Sequence, residues 1–326
     1  MKALVTGASG FIGSNLVDKL LEDAVEVHGI DNYSTGNPKF IEKAKLKPNF
    51  IMFNFDLLKD DFSKLDNDYD IIFHLAANAD IRGGVENNLI DIEQNLIVTH
   101  RLLEFTKIVK KIKDVTFCFA STAAALGEPS VFPTPENIEI PLQTSLYGAS
   151  KLSCEAIISA YSNIFNIETY SFRFVSVLGL RYTHGHVFDF VKKLKQNPNR
   201  LDILGNGLAE KSYLNVKDCI SALCLVCLEK RPSKNISHKF EVYNLGLDET
   251  ILVKDSAKFI SNCLNLKPEF IFGKNVRGWI GDNKFVHLCT KKIRMLGWEP
   301  LHNIKPSIKE TVNWLNENPE VLNYRD

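Results

Sequence analysis

Residues 2–23 read KALVTGASGFIGSNLVDKLLED, and this stretch sets the fold. KALVTG (2–7) is a short apolar run ending in glycine, the pattern of a buried strand. FIGSNLVDKLLED (11–23) then spaces its apolar residues along one face of a helix. Glycines stand at 7, 10 and 13 between and within these elements. Gly7 suits the tight turn, Gly10 the close approach of backbone to a pyrophosphate, and Gly13 the packing of helix on sheet. The helix N-terminus then presents N–H groups and the positive end of its dipole to an anion.

Reading outward, VEVHGID (25–31) is a second strand and ends in Asp31, 18 residues after Gly13. A carboxylate there accepts hydrogen bonds from the adenosine ribose hydroxyls and repels a 2′-phosphate, so the expected cofactor is NAD rather than NADP. FIMFNFD (50–56), DIIFHLAA (70–77) and VTFCFAS (115–121) read as further strands, with a long helix over roughly 85–110. Strands alternating with helices predict an α/β fold, a doubly wound parallel sheet of the Rossmann type. A Pro-containing loop (129–141) leads to a helix, YGASKLSCEAIISAYSNIF (147–165), and a strand, IETYSFRFVSVLG (167–179). GNGLAEKSYLNV (205–216) and FEVYNLG (240–246) read as short strands, and a tryptophan-bearing helix (307–317) lies near the end. The expected division is a dinucleotide-binding domain over 1–178, to which segments near 211–246 return. A smaller C-terminal α/β region for substrate spans 179–210 and 247–326.

The chain has 326 residues, 45% hydrophobic and 24% charged, with 39 basic and 39 acidic side chains. Without a net positive field, nucleic acid is not an expected partner. The longest apolar stretch, CISALCLVCL (219–228), is about half the length of a membrane span. With no signal-like h-region, a cytoplasmic location is the expectation. Seven scattered cysteines suggest reduced thiols. Cys224 and Cys227 form a C-x-x-C in an apolar helical pattern and read as core. His184 and His186 lack a third ligand at useful spacing, so no metal is expected and a loop or substrate-contact role is favoured.

Tyr147 and Lys151 stand four apart at a helix start and share a face. A neighbouring ammonium stabilises a phenolate, so this tyrosine can take a hydroxyl proton while hydride leaves the same carbon. On spacing alone a surface pair reads as well; after a dinucleotide fold the functional reading leads.

At this point the chain resembles the extended short-chain dehydrogenases/reductases, in the NAD-dependent epimerase/dehydratase family, and most the UDP-glucose 4-epimerase branch. The matching motifs are TGASGFIG, DNYSTG (31–36), HLAA (74–77), EQN (93–95), AST (120–122), YGASK (147–151), KSYLNVKD (211–218), YNLG (243–246), RGWIGD (277–282) and LGW (296–298). The resemblance implies that Gly7, Gly10, Phe11, Ile12 and Gly13 hold the pyrophosphate. Asp31, Asn32, Ser34, Thr35 and Gly36 would surround the adenosine ribose, and Asp56 and Leu57 the adenine. Leu75, Ala76, Ala77 and Asn95 would line the cofactor, with Tyr147 and Lys151. Thr122, Tyr147 and Lys151 would be catalytic. Arg82, Thr122, Ser176, Lys211 and Arg277 would contact a nucleotide-diphosphate sugar, Lys211 and Arg277 at its diphosphate. The helices near 85–110 and 147–165 resemble the pair that forms a four-helix homodimer interface.

Within this resemblance, Ala123 and Ala124 narrow the chemistry. Related 4,6-dehydratases and decarboxylases carry a carboxylate just after the Ser/Thr, and alanine transfers no proton. What remains is oxidation of a sugar hydroxyl, with the ketone re-reduced by an epimerase or released by a dehydrogenase, for example one acting on a GDP-heptose. A non-catalytic NAD-binding regulatory protein is a third reading. The alanines also read simply as space-filling. Leu126 replaces the tyrosine of the usual VYG, Ser176 an asparagine and Lys211 an arginine, so the departures gather around the substrate.

Overall fold

The computed structural model describes residues 1–139, 142–232, 239–279 and 281–323, and of Gly83 and Val85 only the backbone. The chain forms two compact units. The first comprises Met1–Ala125, Leu146–Arg173 and Ile220–Tyr243. The second comprises Leu126–Ser145, Phe174–Cys219 and Asn244–Asp326.

In the first unit β1 (Lys2–Thr6) leads through the glycine turn into α1 (Phe11–Glu22), followed by β2 (Glu26–Asp31), β3 (Phe50–Asn54) and β4 (Ile71–His74). A short helix, α2 (Gly83–Glu86), precedes a π-helical segment, Ile92–Ile97, which runs into α3 (Val98–Ile112). Then come β5 (Thr116–Thr122), α4 (Leu146–Phe165) and β6 (Glu168–Phe174). A seventh strand, Phe240–Leu245, completes a sheet whose spatial order is this strand, then β6, β5, β4, β1, β2, β3. The pairings from β3 across to β5 are parallel. This is a doubly wound, Rossmann-like α/β sheet. After β3 the chain returns past β1 to lay down β4, so the strand order reverses between β1 and β4. A crevice opens there, beyond the carboxyl ends of the strands.

The strands are apolar on both faces because helices cover them. Leu4, Ile72, Phe117 and Phe119 of the sheet form one core with Leu102 and Leu103 of α3 and Cys154 and Ile158 of α4. Each such aliphatic or aromatic side chain contributes roughly 1.5–3 kcal/mol on burial.

Two elements differ from the sequence reading. The long helix expected over 85–110 is interrupted at 87–89, where Asn87 Oδ1 accepts from Leu89 N at 3.2 Å and its carbonyl accepts from Ile90 N. An asparagine that bonds the backbone locally competes with the helix. The strand expected over 167–179 is two: β6 stays in the large sheet, whereas Ser176–Leu178 pairs parallel with Tyr213–Asn215.

The second unit is built on small sheets. Glu210–Lys211 lies between Ile251–Leu252 and Phe285–Val286, and Arg200–Ile203 pairs parallel with Glu269–Phe272. Helices His186–Gln196, Val253–Cys263 and Ile304–Glu317 pack together beside them.

Candidate active site

The loop after β1 is clamped from two sides. Gly7 has φ +66°, and a Cβ on it would lie 2.9 Å from Ala76 N in the loop after β4. A Cβ on Gly13 would lie 2.0 Å from Gly7 O. Gly10 caps α1 with no side-chain hydrogen bond, and the first turn of the helix carries no acidic residue. A helix that starts at a glycine with no acidic side chain in its first turn keeps the positive end of its dipole for an anion.

Asp31 is 9% exposed, its Oδ2 accepting from Ser9 N at 3.0 Å and its Oδ1 from Tyr33 N at 2.8 Å. These amides aim the carboxylate at the turn and leave further lone pairs for ribose hydroxyls. Gly36 packs so closely that a Cβ would lie 2.2 Å from Ser9 Oγ and 2.7 Å from Asp31 Oδ2. Ser9 Oγ is buried without a hydrogen-bond partner. A glycine cradle, an uncapped helix N-terminus, an oriented carboxylate and a buried hydroxyl lacking a partner fit a dinucleotide. Asn32 Oδ1 accepts from Ser34 N at 3.0 Å, while Ser34 and Thr35 are exposed. Asp56 Oδ1 accepts from Leu58 N at 2.9 Å, and Arg101 donates to the carbonyls of Leu58 and Asp60, pinning the Asp56–Leu57 turn to α3.

Thr6 and His74 are register partners on β1 and β4. Thr6 Oγ1 accepts from Leu75 N at 3.1 Å and Ala76 N at 3.0 Å and lies 2.9 Å from His74 Nδ1. With two amides donating to it, the hydroxyl gives its own proton to Nδ1, and His74 Nε2–H then donates to Thr99 Oγ1 at 2.9 Å. Burial pushes the His74 pKa down to about 3, so the ring is neutral. This network fixes Leu75, Ala76 and Ala77 across the switch point from the glycine turn.

Thr122 ends β5 and Tyr147 begins α4; their side chains are hydrogen-bonded. Thr122 Oγ1 also accepts from Ala124 N at 3.1 Å, so the alanine turn orients the hydroxyl through its backbone. Lys151, one turn along α4 from Tyr147, is 3% exposed and donates to Ala120 O at 2.9 Å. Its ammonium lies 4.6 Å from the Phe119 ring centroid. Burial pushes the Lys151 ammonium down to about 8 and raises the Tyr147 phenol, while the Thr122 hydrogen bond pulls the phenol back down. A lysine that releases its proton near neutrality beside a buried phenol is a pair able to pass one proton.

Behind Thr122, Ser121 Oγ donates to Glu155 Oε1 at 2.5 Å, and Glu155 is bridged to Arg173 at 2.6 Å inside the core. The sequence reading missed this buried pair, as it missed Ser9, Thr6, His74, Asp91 and Ser150. Only the i,i+4 spacings Asp91–Asn95 and Lys151–Glu155 hinted at any of it. Asn95 has its whole carboxamide engaged by Asn78, Asp91 and Ser150. Arg82 is exposed and lies beside Asp80.

In the second unit Ser176 is exposed at the start of its strand. Lys211 donates to Asp282 Oδ1 at 2.6 Å, and Arg277 is bridged to Glu128. Both candidate diphosphate ligands thus already hold a carboxylate. Ile280, within RGWIGD, lies outside the described residues. His186 sits between Ser256 Oγ at 2.7 Å and Tyr213 Oη at 3.1 Å, and His184 stacks on Tyr182. Among the described residues no three His, Cys, Asp or Glu side chains form a metal site, and no helix is long and apolar enough to cross a membrane.

The sequence model of the NAD dependent epimerase/dehydratase family matches residues 3–246. A Methanocaldococcus jannaschii protein provisionally named UDP-glucose 4-epimerase is 31% identical over 323 residues, covering 97% of this chain and 98% of its own. A crystal structure of a UDP-galactose 4-epimerase superposes with a TM-score of 0.85 at 31% identity, over 98% of this chain and 99% of that one. That of the Bacillus cereus UDP-glucuronic acid 4-epimerase, in complex with UDP-glucuronic acid and NAD, gives 0.86 at 28% identity, over 98% and 100%.

Proposed function

The chain belongs to the NAD dependent epimerase/dehydratase family, with NAD as its cofactor, and from that premise we propose that it is a nucleotide-sugar 4-epimerase working through a transient 4-keto sugar. The observation that carries this reading is the Thr122–Tyr147–Lys151 set with alanines directly after it. NAD would be held by the Gly7–Gly13 turn, Ser9 and Asp31, and when bound it supplies the acceptor and donor of hydride. Tyr147 takes the proton of the sugar hydroxyl as its carbon is oxidised and returns it on reduction. Thr122 holds that hydroxyl in line, and Lys151 stabilises the phenolate. Ala123 and Ala124 offer no group to remove a second proton, so the sugar keeps all its oxygens. Lys211 and Arg277 are the proposed diphosphate ligands. Helices α3 and α4 carry exposed Ile108, Ile112 and Ile164, which supports a homodimer formed through them.

The test is to incubate the enzyme with UDP- and GDP-sugars, follow reduced nicotinamide by absorbance and identify products by NMR. A product isomeric with its substrate, with no net NADH, is expected. One equivalent of NADH with a 4-keto product would make it a dehydrogenase instead. A 4-keto-6-deoxy product would overturn the argument from the alanines.

A further inference from the structure

Asp91 closes the chain just before the π-helical segment and is 1% exposed. Its Oδ1 accepts from Asn78 Nδ2 at 2.9 Å and from Asn95 Nδ2 at 3.3 Å. Its Oδ2 is buried with no hydrogen-bond partner, and a Cβ on Gly84 would come within 2.2 Å of it. Asn95 accepts from Asn78 N at 2.9 Å and donates to Ser150 Oγ at 2.9 Å. Ser150 in turn donates to the carbonyl of Tyr147 at 2.8 Å. An ionised carboxylate only accepts, so Asp91 decides which way the Asn95 amide faces, nitrogen toward Ser150 and oxygen toward Asn78. A continuous hydrogen-bonded path thereby joins a buried carboxylate to the first turn of α4.

We propose that Asp91 is a positioning residue of the reaction: it orients Asn95 and, through Ser150, the turn that carries Tyr147 and Lys151, and its negative charge biases the proton shared by that pair. The inference rests on Tyr147 and Lys151 being the proton-transfer groups. A carboxylate nearby favours the ammonium of Lys151 and disfavours the phenolate of Tyr147, and it acts on both. Both effects make the pair hold its proton to higher pH. Burial raises the Asp91 pKa, as does Asp80 on the loop after β4, while the hydrogen bonds from Asn78 and Asn95 and the charge of Lys151 lower it. Cys154 and Glu155 act on Lys151 from one turn along α4, and Glu155 is already paired with Arg173. His74 faces Lys151 as a neutral ring.

Asp91→Asn keeps an acceptor for Asn78 and Asn95 and removes the charge. The acid limb of the kcat–pH profile is therefore expected to move to lower pH, by roughly 0.5–1 unit. Asp91→Ala should show that shift together with a lower kcat, because the path to Ser150 is also lost. Phenolate absorbance of the NAD-loaded protein, titrated against a Tyr147→Phe blank, should move in the same direction. This second readout needs no sugar turnover, so it separates a failure of the present inference from a failure of the epimerase reading. If Asp91→Asn does not fold, Asn78→Ala keeps the Asp91 charge but removes one donor that compensates it, so both curves should move the opposite way, to higher pH, by less. Curves that superimpose on the wild type, or a loss of kcat with an unmoved pH profile, overturn the proposal.

Discussion

Gly13→Ala and Gly10→Ala should fail in different ways, and the geometry says why. A Cβ on Gly13 would lie 2.0 Å from Gly7 O and 2.8 Å from Gly7 C, backbone on both counts. Restoring an ordinary 3.4 Å contact needs a retreat of about 1.4 Å. The turn has nowhere to go, because Gly7 is already packed against Ala76 N on its other side. Overpacking ordinarily destabilises by about 1–3 kcal/mol, and backbone against backbone places this substitution at or above the upper figure. For a chain of this size about 3 kcal/mol lowers Tm by roughly 4 °C. On Gly10 the added Cβ would meet only Gly7 O, at 3.1 Å, which a shift of a few tenths of an ångström relieves. That variant should keep its Tm within about 2 °C and instead obstruct the pyrophosphate, weakening NAD binding by about tenfold or more, or ~1.4 kcal/mol. Differential scanning calorimetry and titration calorimetry with NAD read the two effects separately. A Gly13→Ala protein as stable as the wild type would refute the packing argument. Wild-type NAD affinity in Gly10→Ala would refute the placing of the pyrophosphate.

Tyr147→Phe should bind NAD normally and lose turnover by roughly 10²–10⁴-fold in steady-state assays, the usual contribution of a general acid–base; near-normal turnover excludes the role. Asp31→Ala removes the carboxylate that would repel a 2′-phosphate, so the ratio of NAD to NADP affinity should fall in calorimetry, and an unchanged ratio counts against its ribose contact. His74 has its pKa pushed down to about 3 in the fold, so the unfolded chain takes up a proton that the folded chain refuses once pH drops below about 6.5. The folded state should lose about 2 kcal/mol from this group between pH 7 and pH 5, and His74→Asn should shrink that difference in urea denaturation. Glu128→Gln leaves Arg277 without its carboxylate partner, so KM for the sugar nucleotide should drop several-fold at unchanged kcat if Arg277 binds the diphosphate; a higher KM would argue that Glu128 positions Arg277 for it.

The sequence by itself determined what is local. The glycine turn is contiguous, its strand and helix declare themselves by period, and Asp31 ends the very next strand, so the sheet type and the expected cofactor could be read without coordinates. Tyr147 and Lys151 were legible because four residues is one helical turn. The interruption of the 85–110 helix was not legible, since apolar periodicity continues through it and only the bonds Asn87 makes to its own backbone break it. Nor was the break after Phe174, because the strand that Ser176–Leu178 pairs with, Tyr213–Asn215, is remote in sequence. The tertiary structure alone decided the electrostatics of the candidate site. Whether a histidine is neutral, a lysine gives up its proton near pH 8 or a carboxylate keeps an oxygen without a partner depends on what surrounds the group. Those neighbours, such as Thr6 and Thr99 around His74 or Asn78 and Gly84 around Asp91, are brought together only when the strands and helices pack.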